Sequence, residues 1–522
     1  MARLNTKNAT PRKGSGAIKT TGTNVSTYEG GNGFKRDAYS ELFLAAVSSF
    51  NEDTFYESAN ERQIRIADLV SQVSENGEWI ENFVKWLREE AGLRAIPVII
   101  AAEAVHSRLE KDLSGGNREI VRASIGRLDE SSEFLAYWMS RFGRKVPSSV
   151  KRGISDALNE KLSETSFLKW RGRASKGSVS LRDTLNIVRA KPKNEHQSVL
   201  YGAVISHAYG REVDATSLPV VEARNNFLAL SKDEKISALT GANAQSVIKG
   251  ARLTHEVIAG AIGKIPSEIW ENLIPNMGYT ALRMNLRRIA ESGINEETIS
   301  KINATLSDKE NVAKSKTMPI EFLSAYRHAP LDFAAALQKG ANGALENVPS
   351  LSGRTLILVD NSGSMGGKLS ERSSLTYSDA ANIFASALAI RAEDATVVSF
   401  DNDTTLNKIT SKDLLRVAEG LPGPRGGTNT AGAVKKWYNG HDRVIVLTDE
   451  QYGYGWYSRS PQDVFKGVVP ENVPTFTWNL AGYKAAHAPS GPARFTFGGL
   501  TDKGFQMIPL IEKGFNTGYP WE

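Results

Sequence analysis

The sequence has no cysteine among its 522 residues, which excludes disulfides, cysteine nucleophiles, iron–sulfur clusters and cysteine zinc sites. No apolar run approaches the roughly 18–20 residues that span a bilayer; the longest, Ala95 to Ala102, is too short. The chain does not open on the apolar stretch of a secretory signal, so the cytoplasm is the expected compartment. Long β-branched alternation is missing from residues 36–345. Acidic residues are missing from residues 1–28, where Arg3, Lys7, Arg12, Lys13 and Lys19 stand among Thr, Asn, Gly and Ser. Residues 1–30 therefore read as a flexible basic arm.

What is present is the composition of a folded protein, 40% hydrophobic and 23% charged, on a chain too long for one compact core. The net charge of +6 is unevenly placed. Residues 141–200 carry fourteen Lys/Arg against five Asp/Glu, whereas from Gly353 onward the two balance at seventeen each. A basic band beside a neutral half points to a polyanion bound by the first part of the chain. The alternative is a solvated charged surface.

From about residue 36 to 345 the pattern is helical and little else, which sets a helical-repeat domain over residues 31–350. Apolar residues recur at three- and four-residue spacing in Glu78–Glu90, Pro97–Leu109, Ser132–Phe142, Ser149–Leu158, Leu181–Val188 and Pro319–Gln338. So many amphipathic helices without strands favour a helical-repeat array over a single bundle. From residue 353 the pattern becomes strands alternating with helices, with strands expected at Thr355–Val359, Thr396–Phe400, Arg443–Thr448, Pro474–Trp478 and Arg494–Phe497. That alternation predicts a parallel, doubly wound sheet over 353–522, with ligands beyond the carboxyl ends of its strands.

Two motifs fall at such ends. The first strand runs into Asp360-Asn361-Ser362-Gly363-Ser364, which can aim three oxygen side chains at one point, with Gly363 expected to let the turn be tight. Thr428 follows two glycines in a loop, and the strand Arg443–Thr448 ends in Asp449. Two carboxylates and three hydroxyls, with no imidazole or thiolate, select Mg²⁺ or another hard divalent cation. The constellation resembles the metal-ion-dependent adhesion site of von Willebrand A domains. That likeness implies that Asp360, Ser362, Ser364, Thr428 and Asp449 are coordinating or second-sphere residues. A haloacid-dehalogenase-type phosphatase would want an acid two residues after the first Asp, where Ser362 stands and cannot shuttle the proton. No Walker loop, nucleophile elbow or His–Asp pairing is found either. The site reads as ligating, and the chain as a non-enzyme.

In the basic band, Lys169, Arg171, Arg173 and Lys176 precede a helix that Ser180 and Asp183 start as a capping box. Leu181, Leu185 and Val188 form its core stripe; Arg182, Asn186 and Arg189 form a parallel polar stripe, and Pro192 is expected to stop it. Loop and helix cations make one patch suited to phosphates. Trp170 reads as a helix-end aromatic, with stacking on an unpaired base as the alternative. His106 and His255 read as structural.

The order of these pieces resembles the Ro ribonucleoprotein autoantigen family and its bacterial relatives, whose TROVE module is shared with telomerase and vault proteins. The resemblance is carried by GRKVPSSVKRGISDA at 143–157, SLRDTLNIVRAKP at 180–192, RLTHE at 252–256, MGYTALRMNL at 277–286 and PIEFLSAY at 319–326. It implies a HEAT-like α-helical repeat ring closed by an α/β doubly wound von Willebrand A domain. It further implies a noncoding-RNA-binding protein, a monomeric ring acting in RNA quality control or processing. Y RNA would lie on the outer basic surface, single-stranded 3′ ends of misfolded RNAs in the central hole, and an exoribonuclease would be bridged by Y RNA. On this likeness Lys169, Arg171, Arg173 and Lys176 contact the Y RNA backbone. Arg189 stands where the family commonly has His, and Asn429 where an Asp is often found after Gly-Gly-Thr. The competing function is a metal-dependent adaptor that binds a protein's acidic residue through the A domain.

Overall fold

The computed structural model describes residues 20–26, 32–47, 59–172, 179–370, 373–449, 464–480, 493–498, 502–514 and 519–521. By their contacts these form two compact units, one of residues 66–299 with Trp521 and the other of the remainder. No helix of the described residues is long and apolar enough to cross a membrane.

The unit of residues 66–299 is helical, as the periodicity predicts. Helices at Gly77–Glu89, Ala95–Glu110, Asn117–Ser124, Leu128–Phe142 and Ser148–Lys161 pack through fully buried Ile80, Phe83, Val84, Leu87, Phe134 and Leu135. Arg108, buried at 6% exposure, ties this packing together through Ser74 O at 2.6 Å, Gly115 O at 2.6 Å and Asn117 Oδ1 at 2.7 Å. His106, read as structural, stacks on Phe142 with ring centroids 4.0 Å apart.

In the other unit the change near residue 350 is one of secondary structure rather than of contacts. The helices Pro319–His328 and Ala334–Ala344 pack with the sheet-bearing part. Arg327 pairs with Asp379 at 2.7 Å, and Asn342 Oδ1 accepts from Leu414 N at 2.8 Å. The single helix expected over 319–338 is broken at Ala329-Pro330, because proline lacks the N–H and disfavours helical backbone at the residue before it.

Strands β3 (Leu351–Asp360), β4 (Ala392–Phe400), β5 (Thr404–Asn407), β6 (Arg443–Thr448), β7 (Thr475–Asn479) and β8 (Arg494–Gly498) form one sheet in the order β5-β4-β3-β6-β7-β8. All pairs are parallel except β4 with β5, so the sheet is mixed at that edge rather than wholly parallel. An antiparallel edge strand is common on such sheets. Strand β3 pairs with β4 on one side and β6 on the other, so the strand order reverses there and opens a crevice at their carboxyl ends. Two further strands, β1 (Thr20–Ser26) and β2 (Asn32–Arg36), pair antiparallel. The segment read as a flexible arm thus includes one strand; residues 1–19 lie outside the described residues.

Just before β6, His441 is buried, with its Nε2 3.1 Å from Thr396 Oγ1 and its Nδ1 accepting from Asn439 N at 3.2 Å. A ring nitrogen that accepts from an amide cannot carry a proton, so Nε2 is the donor to Thr396. Burial, then the nearby Arg354 charge, push His441 down to about 4. Protonation therefore favours the unfolded chain: the stabilisation is complete above about pH 6.5 and is lost as pH falls toward 4. The urea stability gap between the wild type and His441→Gln is expected to narrow by about 3 kcal/mol over that window. A gap independent of pH would contradict this account.

Candidate functional site

At the carboxyl ends of β3 and β6 lie Asp360, Ser362, Ser364 and Asp449. Asp360, the last residue of β3, is fully buried. Its Oδ1 accepts from Ser362 N at 2.8 Å, and its Oδ2 accepts from Thr448 Oγ1 at 2.6 Å. The Ser362 and Ser364 hydroxyls lie 3.1 Å apart. Asp449 follows Thr448 and is 1% exposed. Burial, reinforced by the Asp449 charge, pushes Asp360 up to about 6, although hydrogen bonds from Thr448 and Ser362 work against the rise.

Thr428 lies in a loop pinned to this turn. Gly363 N donates to Gly426 O at 3.1 Å, Arg425 N to Asn361 O at 2.5 Å, and Asn429 N to Asp401 O at 2.9 Å. Arg425 also pairs with Asp401 at 2.7 Å. Gly363 is not in the left-handed region, and a Cβ there would sit 3.5 Å from Gly426 O, an ordinary contact. The glycine this turn requires is Gly426, at φ +68°. Asn429 caps the helix Thr430–Trp437, its side chain accepting from Gly432 N at 3.0 Å; an asparagine caps as well as an aspartate, so the departure costs the fold nothing.

The donor set fits a hard cation. Burial and the nearby Asp449 charge make ionised Asp360 costly, which a bound cation relieves. Among the described residues no group of three His, Asp or Glu could hold a metal, so the hydroxyls of Ser362, Ser364 and Thr428 are needed to complete a shell. Thr448 was not legible as part of this site. A β-branched residue inside a strand reads as a strand former, and its partner is 88 residues away.

The second candidate lies in the helical unit. The helix Glu164–Trp170 carries Lys169 in its last turn, exposed, with Nζ 5.1 Å from the Trp170 ring centroid. Arg127 lies over the same ring at 4.7 Å, so Trp170 is half-buried between two cations. Arg171 is half-buried, makes no ion pair among the described residues, and is pushed down by burial. Its charge contributes to lowering His207, and it adds to the burial that takes Arg224 down to about 10. Arg173 and Lys176 lie outside the described residues.

The helix Leu181–Val188 begins as read from its sequence. Asp183 N donates to Ser180 Oγ at 3.1 Å, and Asp183 Oδ2 accepts from Ser180 N at 3.3 Å. Leu185 and Val188 are buried; Leu181 is only half-buried, and Thr184 replaces it in the core. The helix stops not at Pro192 but at Arg189, an exposed residue in left-handed backbone at φ 53°. A side chain there costs about 1 kcal/mol. Arg182 pairs with Asp183 at 2.6 Å and lies over Tyr209, which Arg211 also approaches. Tyr209 and Arg211 escaped sequence reading, since a tyrosine at a helix end has no distinguishing pattern. His255, read as a helix-start residue with a satisfied hydrogen bond, is 3.2 Å from Asn285 Nδ2.

Residues 264–392 match the model of the TROVE domain family. That match covers about a quarter of the chain. The match takes in the stretches 277–286 and 319–326 and the turn of Asp360 to Ser364, and begins after the basic patch. The fold is similar to the crystal structure of the Ro (RSR) protein of Deinococcus radiodurans, with a TM-score of 0.69 and 17% identity over 89% of this chain and 97% of that one. At that identity the likeness is one of fold. No curated protein matches the chain. The TROVE match and this fold both support the resemblance to bacterial Ro proteins.

Proposed function

We propose that this chain is a noncoding-RNA-binding protein. Y RNA lies on the basic surface around Lys169, Arg171, Arg182 and Arg189, and single-stranded 3′ ends of misfolded RNAs enter a ring of the helical repeats. The protein serves RNA quality control or processing, in the cytoplasm, with an exoribonuclease bridged by Y RNA, and it holds RNA rather than cleaving it. The observation that carries this reading is the uncompensated charge: Arg171, Arg189 and Arg211 make no ion pair among the described residues, in a region where cations flank two aromatic rings. Cations without carboxylate partners are what phosphates recruit.

The crevice site takes Mg²⁺, held by Asp360, Ser362, Ser364, Thr428 and Asp449. A hard divalent cation there offers a position to a partner's oxygen anion. The protein's own residues bury the carboxylates, orient the hydroxyls and pin the Thr428 loop.

The test uses a stem with a single-stranded 3′ overhang. Affinity is expected to fall with salt by about 0.7 log unit per log of salt for each single-strand phosphate neutralised, and the RNA should remain intact with Mg²⁺. Asp360→Ala should leave that affinity unchanged. It should abolish the stabilisation by Mg²⁺ that the wild type shows, about 2.7 kcal/mol at one hundred times the dissociation constant. Salt-independent binding, or Mg²⁺ stabilising both proteins equally, would overturn the corresponding half of the reading.

A further inference from the structure

We infer that Tyr209 is a stacking site for an unpaired base of the bound RNA, with Arg211 taking an adjacent phosphate; this rests on the RNA-binding reading above. Tyr209 ends the helix Glu195–Ala208, its amide donating to Ile205 O and Ser206 O at 3.2 Å each. Gly210, at φ +66°, turns the chain back so that Arg211 N donates to Ser206 O at 2.9 Å. A glycine is needed for that left-handed step. The ring is thus fixed at a rigid helix end, yet 56% exposed, and among the described residues it is the one aromatic in the set of large exposed apolar side chains. The helix it ends packs on both Glu164–Trp170 and Leu181–Val188, which places it beside the basic patch.

Two guanidinium groups lie on this ring, Arg182 at 5.1 Å and Arg211 at 5.2 Å from its centroid. They are not equivalent. Arg182 is held by Asp183 Oδ1 through Nη2 at 2.6 Å and Nε at 3.0 Å. The Arg211 side chain has no ion pair or hydrogen bond among the described residues. A cation on an exposed ring is weakly held, and a base stacked on an aromatic gains more. A base can therefore displace Arg211 from the ring, and the freed guanidinium reaches a phosphate, while Arg182 stays as the fixed edge. Paired bases in an A-form stem keep their faces covered, so the site selects unpaired nucleotides.

The full chain is titrated by fluorescence anisotropy with two probes of equal length and charge. One is a closed stem; the other carries 2-aminopurine at a single unpaired position. Tyr209→Ala is expected to lose about 5- to 150-fold on the unpaired probe and less than about twofold on the stem. Tyr209→Phe should retain both affinities and the quenching of the stacked 2-aminopurine. Arg211→Ala should lower the salt slope by about 0.7, with quenching kept. If the wild type binds neither probe, the RNA reading itself fails. If it binds, and Tyr209→Ala weakens both probes equally or neither, or leaves quenching intact, only the stacking site is overturned.

Discussion

Replacing Lys169 and Arg189 together by glutamate is expected to weaken RNA binding by at least about 25-fold at 0.1 M salt. Each neutralised single-strand phosphate contributes a factor that scales as salt to the power of about −0.7, or about fivefold at 0.1 M relative to 1 M. Two lost contacts multiply to about 25-fold, and the introduced carboxylates add repulsion. The salt slope should fall by about 1.4 in the same titration. These two positions are chosen because both are exposed and carry no ion pair that reversal would break. Arg171 is a poorer choice: it is half-buried beside Arg224 and His207, so a carboxylate there would disturb packing as well as binding. Lys309→Glu, an exposed cation that is not one of the patch residues, changes the net charge and should move affinity by no more than about twofold. Equal losses from both variants would mean that net charge, rather than this surface, holds the RNA.

How far such a surface can be read in advance depends on the range of the interactions that build it. Local signals were legible. The helix Leu181–Val188 follows from a serine and an aspartate three residues apart, and the strand Arg443–Thr448 from a short apolar run ended by a carboxylate. Asp360 and Asp449 were found because each closes a strand, and doubly wound sheets gather strand ends. Nonlocal partners were not legible. Thr448 joins Asp360 across β6 and β3, and Tyr209 collects Arg182 from another helix. The edge strand Thr404–Asn407 is four residues long and its burial is incomplete, so it lacks the apolar run that marks a buried strand. Pro330 is a different case, since apolar spacing continues across it and the period outweighed the breaker. Periodicity reports which face is buried, not whether the backbone is continuous.

The buried ion cluster beneath the basic patch joins stability to function, and it yields the largest expected loss of stability. Glu130 is fully buried. Its Oε2 accepts from Gly126 N at 2.9 Å, Arg127 N at 3.0 Å and Arg88 Nη2 at 2.7 Å; its Oε1 accepts from Arg88 at 2.6 Å and from Arg94 Nε at 3.2 Å. One carboxylate thus closes the amino end of the helix Leu128–Phe142 and neutralises an arginine whose side chain is only 10% exposed. Glu130→Ala leaves Arg88 buried without its counter-charge and two amides without an acceptor, at an expected cost of about 3–5 kcal/mol. Glu130→Gln keeps an acceptor for the amides and loses the charge, so it should fall between the two. The same backbone carries Arg127, which lies on Trp170 in the RNA-binding candidate surface. The variant should therefore unfold at lower urea and also change tryptophan emission under native conditions, as the Arg127–Trp170 contact loosens. A loss below about 1 kcal/mol would place Glu130 with ordinary surface ion pairs and remove the link between this cluster and the patch above it.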